Sequence, residues 1–242
     1  MHRLILQAEE VLRTWQPSWS TFLSGPELED SRRLESLTEL RVVRDGGRPD
    51  TERCRLQLSR SDQEPQPQSA PLSGLRLEGN FLFDRAEPQD MRQALIDLGV
   101  TADGLGDLWL RGDRGAQAIC TPEAANHLNG LTGQVRDVTL SVEAVSIECL
   151  QWPAQRLPKR LTSVEASCRL DAIASAGFGL SRSKVIRQIR DGRLRLNWQP
   201  VRQASRDLKV GDRLQLQDRG SVEVLNLEIT KRDRWRVEML RR

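Results

Sequence analysis

The sequence predicts an α+β protein built in parts, and three observations predict it. The first fifteen residues follow a helical apolar pattern and give way to alternating, strand-like runs. Residues 75–150 then read, in order, as strand, helix, strand, strand, helix, strand. The last third is strongly basic and opens on two short helices followed by short strands. With 242 residues, 38% of them hydrophobic and 29% charged, the chain suits two compact domains or three small ones and is too apolar to be disordered.

Residues 1–60 form an α/β segment. Leu4, Ile5, Val11 and Leu12 mark a first helix, and Ser24-Gly25-Pro26-Glu27 offers the capped start of a second, followed by Leu28, Leu34 and Leu37. Residues 40–43 and 54–58 read as two strands joined by the turn-rich residues 45–50. Residues 61–74, with three prolines, three glutamines and one leucine, read as a linker or a long exposed loop.

In the middle segment, 75–150, a strand over 75–83 precedes a helix whose Met91, Ala94, Leu95 and Leu98 share one face and which Gly99 closes. Short strands at 107–110 and 116–120 flank the turn at 111–115. Thr121 caps a helix starting at Pro122, and 138–145 is a last alternating strand. The order βαββαβ is the split-βαβ layout of ferredoxin-like and RRM folds. An RRM stacks bases on aromatics of its central strands, and although Phe81 and Phe83 lie near the first strand, residues 116–120 offer no aromatic. A structural or protein-contact role is therefore the expectation for this segment. Residues 151–163, with Trp152, Pro153, Arg156, Pro158, Lys159 and Arg160, read as a connector.

A net charge of +3 conceals a division. Residues 169–242 hold eighteen Lys and Arg against nine Asp and Glu, a net of +9; residues 1–168 hold nineteen against twenty-five, a net of −6. An acidic front and a basic back point the C-terminal module, 164–242, toward a polyanion, and toward nucleic acid before membrane. Its first helix runs from Arg169 to about Ala176 and ends at Gly177-Phe178-Gly179. Its second begins at Ser181. On a helical wheel Val185, Ile186 and Ile189 share one arc while Lys184, Arg187 and Arg190 share the opposite one, so the helix docks through one side and shows a cationic face. Arg182 falls on the apolar side and must project from the first turn. Between Asp171 and Asp207 the only acid is Asp191, against eight basic residues, so a counter-charge is the natural partner. A strand over 193–198, a turn at Gln199-Pro200 and a further strand through 213–216 complete the pattern.

The run RLD…LSRSKVIRQIRDGRLRLNWQPV…DLKVGDRLQL resembles the RNA-binding domain named after small-subunit ribosomal protein four, the S-four domain, over most of residues 169–217. The whole chain is similar to the YlmH-like proteins, which include the photosystem II S-four domain proteins. The further matches are Thr21-Phe22-Leu23-Ser24 with Pro26-Glu27, Leu98-Gly99-Val100 with Gly106-Asp107-Leu108, and Thr230-Lys231-Arg232 with Arg234-Trp235-Arg236. One departure stands out: where that family carries His-Arg-Asp followed by Leu-Gly, this chain reads Pro88-Gln89-Asp90-Met91-Arg92-Gln93.

The resemblance implies two helices on a small sheet, with the second helix and the following strand facing structured RNA. The RNA-binding residues it implies are Arg169 before the first helix; Ser181, Arg182, Lys184, Arg187 and Arg190 on the second; Arg193, Arg195 and Asn197 on the strand; Arg213; and Lys231 and Arg232 near the end. Trp198 and Trp235 suit stacking on RNA or ordinary packing equally well. The implied partner is ribosomal RNA or tRNA, on the large ribosomal subunit, in the cytoplasm or a plastid stroma. The alternative is a photosystem II assembly or other protein-interaction factor whose basic surface meets acidic partners.

Enzyme readings find little support. His2 and His127 are the only histidines, and Cys54, Cys120, Cys149 and Cys168 form no C-x-x-C pair, so neither a metal site nor a cofactor is expected; the cysteines read as buried thiols in a reducing compartment. Gly104-Leu105-Gly106 lacks the third glycine and following helix of a cofactor loop, and no phosphate-binding loop of the G-x-x-x-x-G-K type exists. No stretch approaches the roughly 18 apolar residues of a membrane span, and Glu9 and Glu10 interrupt any leader-like pattern at the start.

Overall fold

A computed structural model describes the chain except for Met1, Asp50 and residues 65–68, 155–156 and 217–218. Asp50 of the expected turn and Arg156 of the expected connector thus lie outside the described residues. Two compact units result, Met1–Pro153 and Ala154–Arg242. Every sheet is antiparallel and the fold is α+β.

The first unit begins with α1 (His2–Thr14), which buries Leu4, Ala8 and Val11 along one stripe. After β1 (Ser18–Trp19) comes α2 (Gly25–Glu35), fixed at its start by Ser24, whose N–H and hydroxyl both meet the Glu27 carboxylate. The expected strand pair is β2 (Leu40–Asp45) and β3 (Arg55–Arg60), and the sheet order is β1-β3-β2. Leu23, Leu28, Leu34, Leu40, Leu56 and Leu58 close this small core.

The middle sheet starts at β4 (Ser73–Glu78), two residues before the expected strand start at 75, so the last two residues of the expected linker or loop belong to it. The described residues before it are tied down: the Asp45 carboxylate accepts the N–H of Ala70, and Arg55 donates to the Pro71 carbonyl. The strand ends at Glu78 rather than at 83, because Gly79 and Asn80 open a turn in which the Asn80 side chain accepts the N–H of Leu82. Next come α3 (Pro88–Asp97), β5 (Leu105–Leu110), β6 (Gly115–Cys120), α4 (Pro122–Leu128), β7 (Thr132–Val135) and β8 (Val138–Val145). The order β5-β6-β4-β8-β7 is the split-βαβ arrangement with one strand beyond the expected βαββαβ. That strand, β7, reads as a loop because only its Val135 is buried and its hairpin turns on Arg136 in the left-handed region. Met91, Ala94, Leu95, Ala124 and Leu128 of the two helices pack on Leu75, Leu77, Ala116 and Leu140 of one sheet face.

The sheet edge is locked to the N-terminal segment by a half-buried carboxylate. Asp107 accepts the N–H groups of Glu52 and Arg53, each at 2.9 Å, and burial pushes its carboxyl pKa up. Beside it Arg92 donates to the Gly106 carbonyl at 2.6 Å, and burial draws its guanidinium down to about 10.

The second unit is a six-stranded sheet under two helices. Its elements are β9 (Lys159–Glu165), α5 (Leu170–Phe178), α6 (Arg182–Arg190), β10 (Leu194–Leu196), β11 (Gln199–Pro200), β12 (Arg213–Leu216), β13 (Gly220–Ile229) and β14 (Trp235–Arg241), in the order β11-β10-β12-β13-β14-β9. The connector expected over 151–163 therefore ends sooner, because Lys159 already pairs with Arg241. Its Lys-Arg start and single leucine conceal an edge strand. The chain reverses at Asn197 and Trp198 (φ +48° and +69°), one step before Gln199-Pro200, which pairs back onto β10. Close approach of α5 to the sheet requires Gly177, where a Cβ would lie 2.7 Å from Val222 Cγ1.

Cys120 and Cys168 are buried, but Cys54 is half-buried and Cys149 is exposed, which corrects the expectation of four buried thiols. Cys149 ends a single 3-10 turn at the surface. Among the described residues no helix is long and apolar enough to cross a membrane, and no group of three or more His, Cys, Asp or Glu could hold a metal ion.

Candidate nucleic-acid interface

The cationic helix α6 is placed by two caps. Gly179, at φ +65°, ends α5 in the left-handed conformation that glycine adopts without strain. Two residues later the Ser181 hydroxyl accepts the N–H of Lys184 and starts α6. Val185 and Ile189, one turn apart, are 1% and 5% exposed and enter the core with Leu194, Leu214 and Phe178. Ile186 does not join them. It is 39% exposed, because the buried stripe is only one residue wide and Ile186 lies on its flank.

Opposite that stripe, Lys184, Arg187 and Arg190 are exposed, and no hydrogen bond or ion pair engages them among the described residues. Arg182 reaches out of the first turn, as its wheel position requires, and lies 3.6 Å from Glu165 at the end of β9. Arg169 forms a two-pronged pair with Asp171, both contacts at 3.0 Å, which neutralises a carboxylate that is 4% exposed.

The remaining expected residues do not join this surface. Directly paired residues of a sheet share a face, and Leu194, Leu196, Leu214 and Leu216 face the helices. Arg195 and Arg213 alternate with them and so project from the opposite face of the sheet. Arg213 is also held by Glu223 at 3.4 Å. Arg193 is half-buried and engaged. The Asn197 amide is consumed in tying its turn to the start of β12: it donates to Asp212 at 2.8 Å and accepts the N–H of Arg213 at 2.9 Å. Lys231 and Arg232 are exposed in the turn between β13 and β14. Trp235 packs against the core, and Trp198 is half-buried in its turn.

The expectations missed Glu165, the partner of Arg182. No signal marked it, because β9 looked like part of a connector.

Residues 1–63 match the family model described as YlmH, N-terminal, and residues 168–214 match the S4 domain. The chain is thus similar to YlmH proteins over its N-terminal segment and carries an S4-domain match near its C-terminal end. Ribosome-associated protein quality control protein P2 of Bacillus subtilis is 25% identical over 193 residues, 79% of this chain and 74% of that protein. Among solved structures, cell division protein ylmH from Streptococcus pneumoniae aligns with 61% of this chain and 92% of its own at 15% identity and a TM-score of 0.45. The S4 match takes in α5, α6, β10, β11 and the first half of β12, and leaves Lys231 and Arg232 outside it.

Proposed function

We propose that this chain is a non-catalytic RNA-binding protein that meets structured RNA through the α6 face of its S4 domain. The observation that carries the reading is the row of Lys184, Arg187 and Arg190, exposed and without partners among the described residues, opposite a buried Val185–Ile189 stripe. Unpaired cations on a rigid, capped helix form a preset array for phosphates. Arginine adds forked contacts to phosphate and stacking on exposed bases. The A-form major groove is too narrow to admit a helix, so α6 lies across backbone and shallow groove and reads shape rather than sequence.

The target is ribosomal RNA, or a tRNA held with it, on the large ribosomal subunit, which places the protein in the compartment of translation, the cytoplasm. Support comes from the S4 match and from the ribosome association in the name of the Bacillus subtilis relative. The test is sedimentation of the full chain with purified large subunits, with and without nuclease. Co-sedimentation that nuclease abolishes is the expected result. Association that survives RNA digestion would assign the basic surface to a protein partner.

A further inference from the structure

The middle sheet ends at β7, and among the described residues no strand pairs beyond it. An open strand edge is a template for pairing with another chain, and proteins blunt such edges with charge, proline, a bulge, a very short strand or a covering segment. The other sheet edges of the described residues all carry such a device. β1 is two residues long, and β11 contains Pro200. β2 carries Arg41 and Arg44, and β9 begins Lys159-Arg160. β5 is irregular between Leu105 and Leu108, and its Asp107 is bonded to the N–H groups of Glu52 and Arg53. β7, which reads Thr132-Gly133-Gln134-Val135, has no charge, no proline and an unbroken register with β8.

The pairing leaves its outer edge open. The hairpin closes on the pair Val135 and Val138, and Leu131, just before the strand, accepts the N–H of Val142. Bonding toward β8 alternates along the strand, so Leu131, Gly133 and Val135 turn their backbone groups to β8, and those of Thr132 and Gln134 point outward. Both residues are exposed, and no hydrogen bond engages them on that side among the described residues.

Such an edge matches its own copy. In an antiparallel pairing about a two-fold axis, outward-bonding residues must meet each other, so Thr132 exchanges both bonds with Gln134 of the second copy, and Gln134 does the same with Thr132 of that copy. Gly133 then lies on the axis opposite itself as a non-bonded pair, where Cα atoms approach to about 4.5 Å, and it brings no side chain to that crowded point. Like charges set opposite each other across strands repel, and β7 brings none.

A second exposed feature lies at the same end of the sheet. Arg136, the residue after β7, donates to the Asp84 carboxylate at 2.7 Å and to the Arg85 carbonyl at 3.0 Å, and so ties the loop before α3 to the hairpin tip. On that loop Phe81 is buried, but Leu82 is 55% and Phe83 94% exposed. Antiparallel pairing sets the Val135 end of one β7 against the Leu131 end of the other. Each loop is thereby brought to the side of the second copy's Gly130 and Leu131, and Leu131 is only partly buried. An uncharged strand beside two exposed apolar side chains suits a protein partner and offers a polyanion nothing.

We propose that β7 is a self-association edge, through which two copies of this chain pair antiparallel about Gly133 with Leu82 and Phe83 flanking the strands. The proposal does not rest on the RNA reading of α6, which lies in the other unit. One short strand and two apolar side chains per copy fall below the roughly 1,200 Å² of lasting complexes, so the dimer is transient and appears at tens of micromolar chain.

The experiment is sedimentation velocity of the full chain across the micromolar range, with a reductant present so that exposed Cys149 cannot link copies. The mean mass is expected to rise with concentration from 27.5 kDa toward twice that value. Gln134→Pro removes an outward N–H while Gly133 and Val135 keep their bonds to β8. Thr132→Lys/Gln134→Lys, at exposed positions, sets cations against each other across the axis. Each raises the dissociation constant about tenfold or more, and Phe83→Ala raises it about threefold or more, with circular dichroism confirming the fold. A chain that stays at 27.5 kDa throughout overturns the proposal. A dimer that the folded lysine variant or Phe83→Ala leaves unchanged overturns it too.

Discussion

Replacing Lys184 and Arg187 by alanine removes two cations from α6 without disturbing the Val185–Ile189 stripe that docks it. Alanine favours helix at both positions, so the fold is retained. If each side chain meets one phosphate, each contributes about 0.9 to the slope of log affinity against log salt, the duplex DNA value taken as comparable for RNA helices. The double variant then lowers the slope by about 1.8. At 0.15 M salt one contact is worth roughly 0.9 × log(1/0.15), about 0.7 log units, or about fivefold, so the pair costs about 30-fold. The assay is a titration against an RNA hairpin from 50 to 300 mM salt, with circular dichroism as the check on folding. Arg195→Ala/Arg236→Ala is the matched control, since it removes equal charge from the sheet face turned away from the helices. The reasoning is refuted if the control flattens the slope and the α6 variant does not. The RNA surface would then have to be the outer sheet face or the β13–β14 turn.

Other consequences can be measured separately. Ile189→Asp places a charge in a site 5% exposed and loses about 3–5 kcal/mol, enough to abolish cooperative thermal unfolding of the S4 unit in calorimetry. Asn197→Ala removes two hydrogen bonds and forces alanine to φ +48°, for a loss of about 2–4 kcal/mol in urea denaturation. Residues 154–242, as an isolated fragment, retain hairpin affinity within about threefold, while residues 1–153 bind the hairpin at least about tenfold more weakly, as filter binding would show. Cys149, exposed, reacts with a disulfide reagent at pH 8 within minutes. Burial pushes the Cys120 thiol up to about 12, so it stays protonated and reacts only when denaturant opens the fold.

Much of this architecture was legible in the sequence because its signals are local. The caps at Ser24, Thr121 and Ser181, the glycine after α5, and the alternation of 138–145 each follow from the chemistry of a few neighbouring residues. Strands with little apolar content were not legible. β7 buries one valine, and β9 begins Lys-Arg and exposes alternate residues because it lies at an edge. The candidate site divides along the same line. The cationic face of α6 can be read from a wheel, since its residues are adjacent in sequence. Which face of the sheet carries Arg195 and Arg213 depends on pairing with residues 20 and 10 positions away, Gln215 and Glu223, and that pairing turns both away from α6. Asn197 looked like a contact residue because its position is specific, yet its amide's hydrogen bonds tie the turn to the start of β12.

The most direct test of the central claim is a map of ultraviolet crosslinks between the full chain and the large ribosomal subunit, read by mass spectrometry of RNA-linked peptides. Crosslinked peptides are expected over residues 181–190, with none unique to the strands carrying Arg195 or Arg213. Crosslinks confined to those strands, with α6 unlabelled, would contradict it.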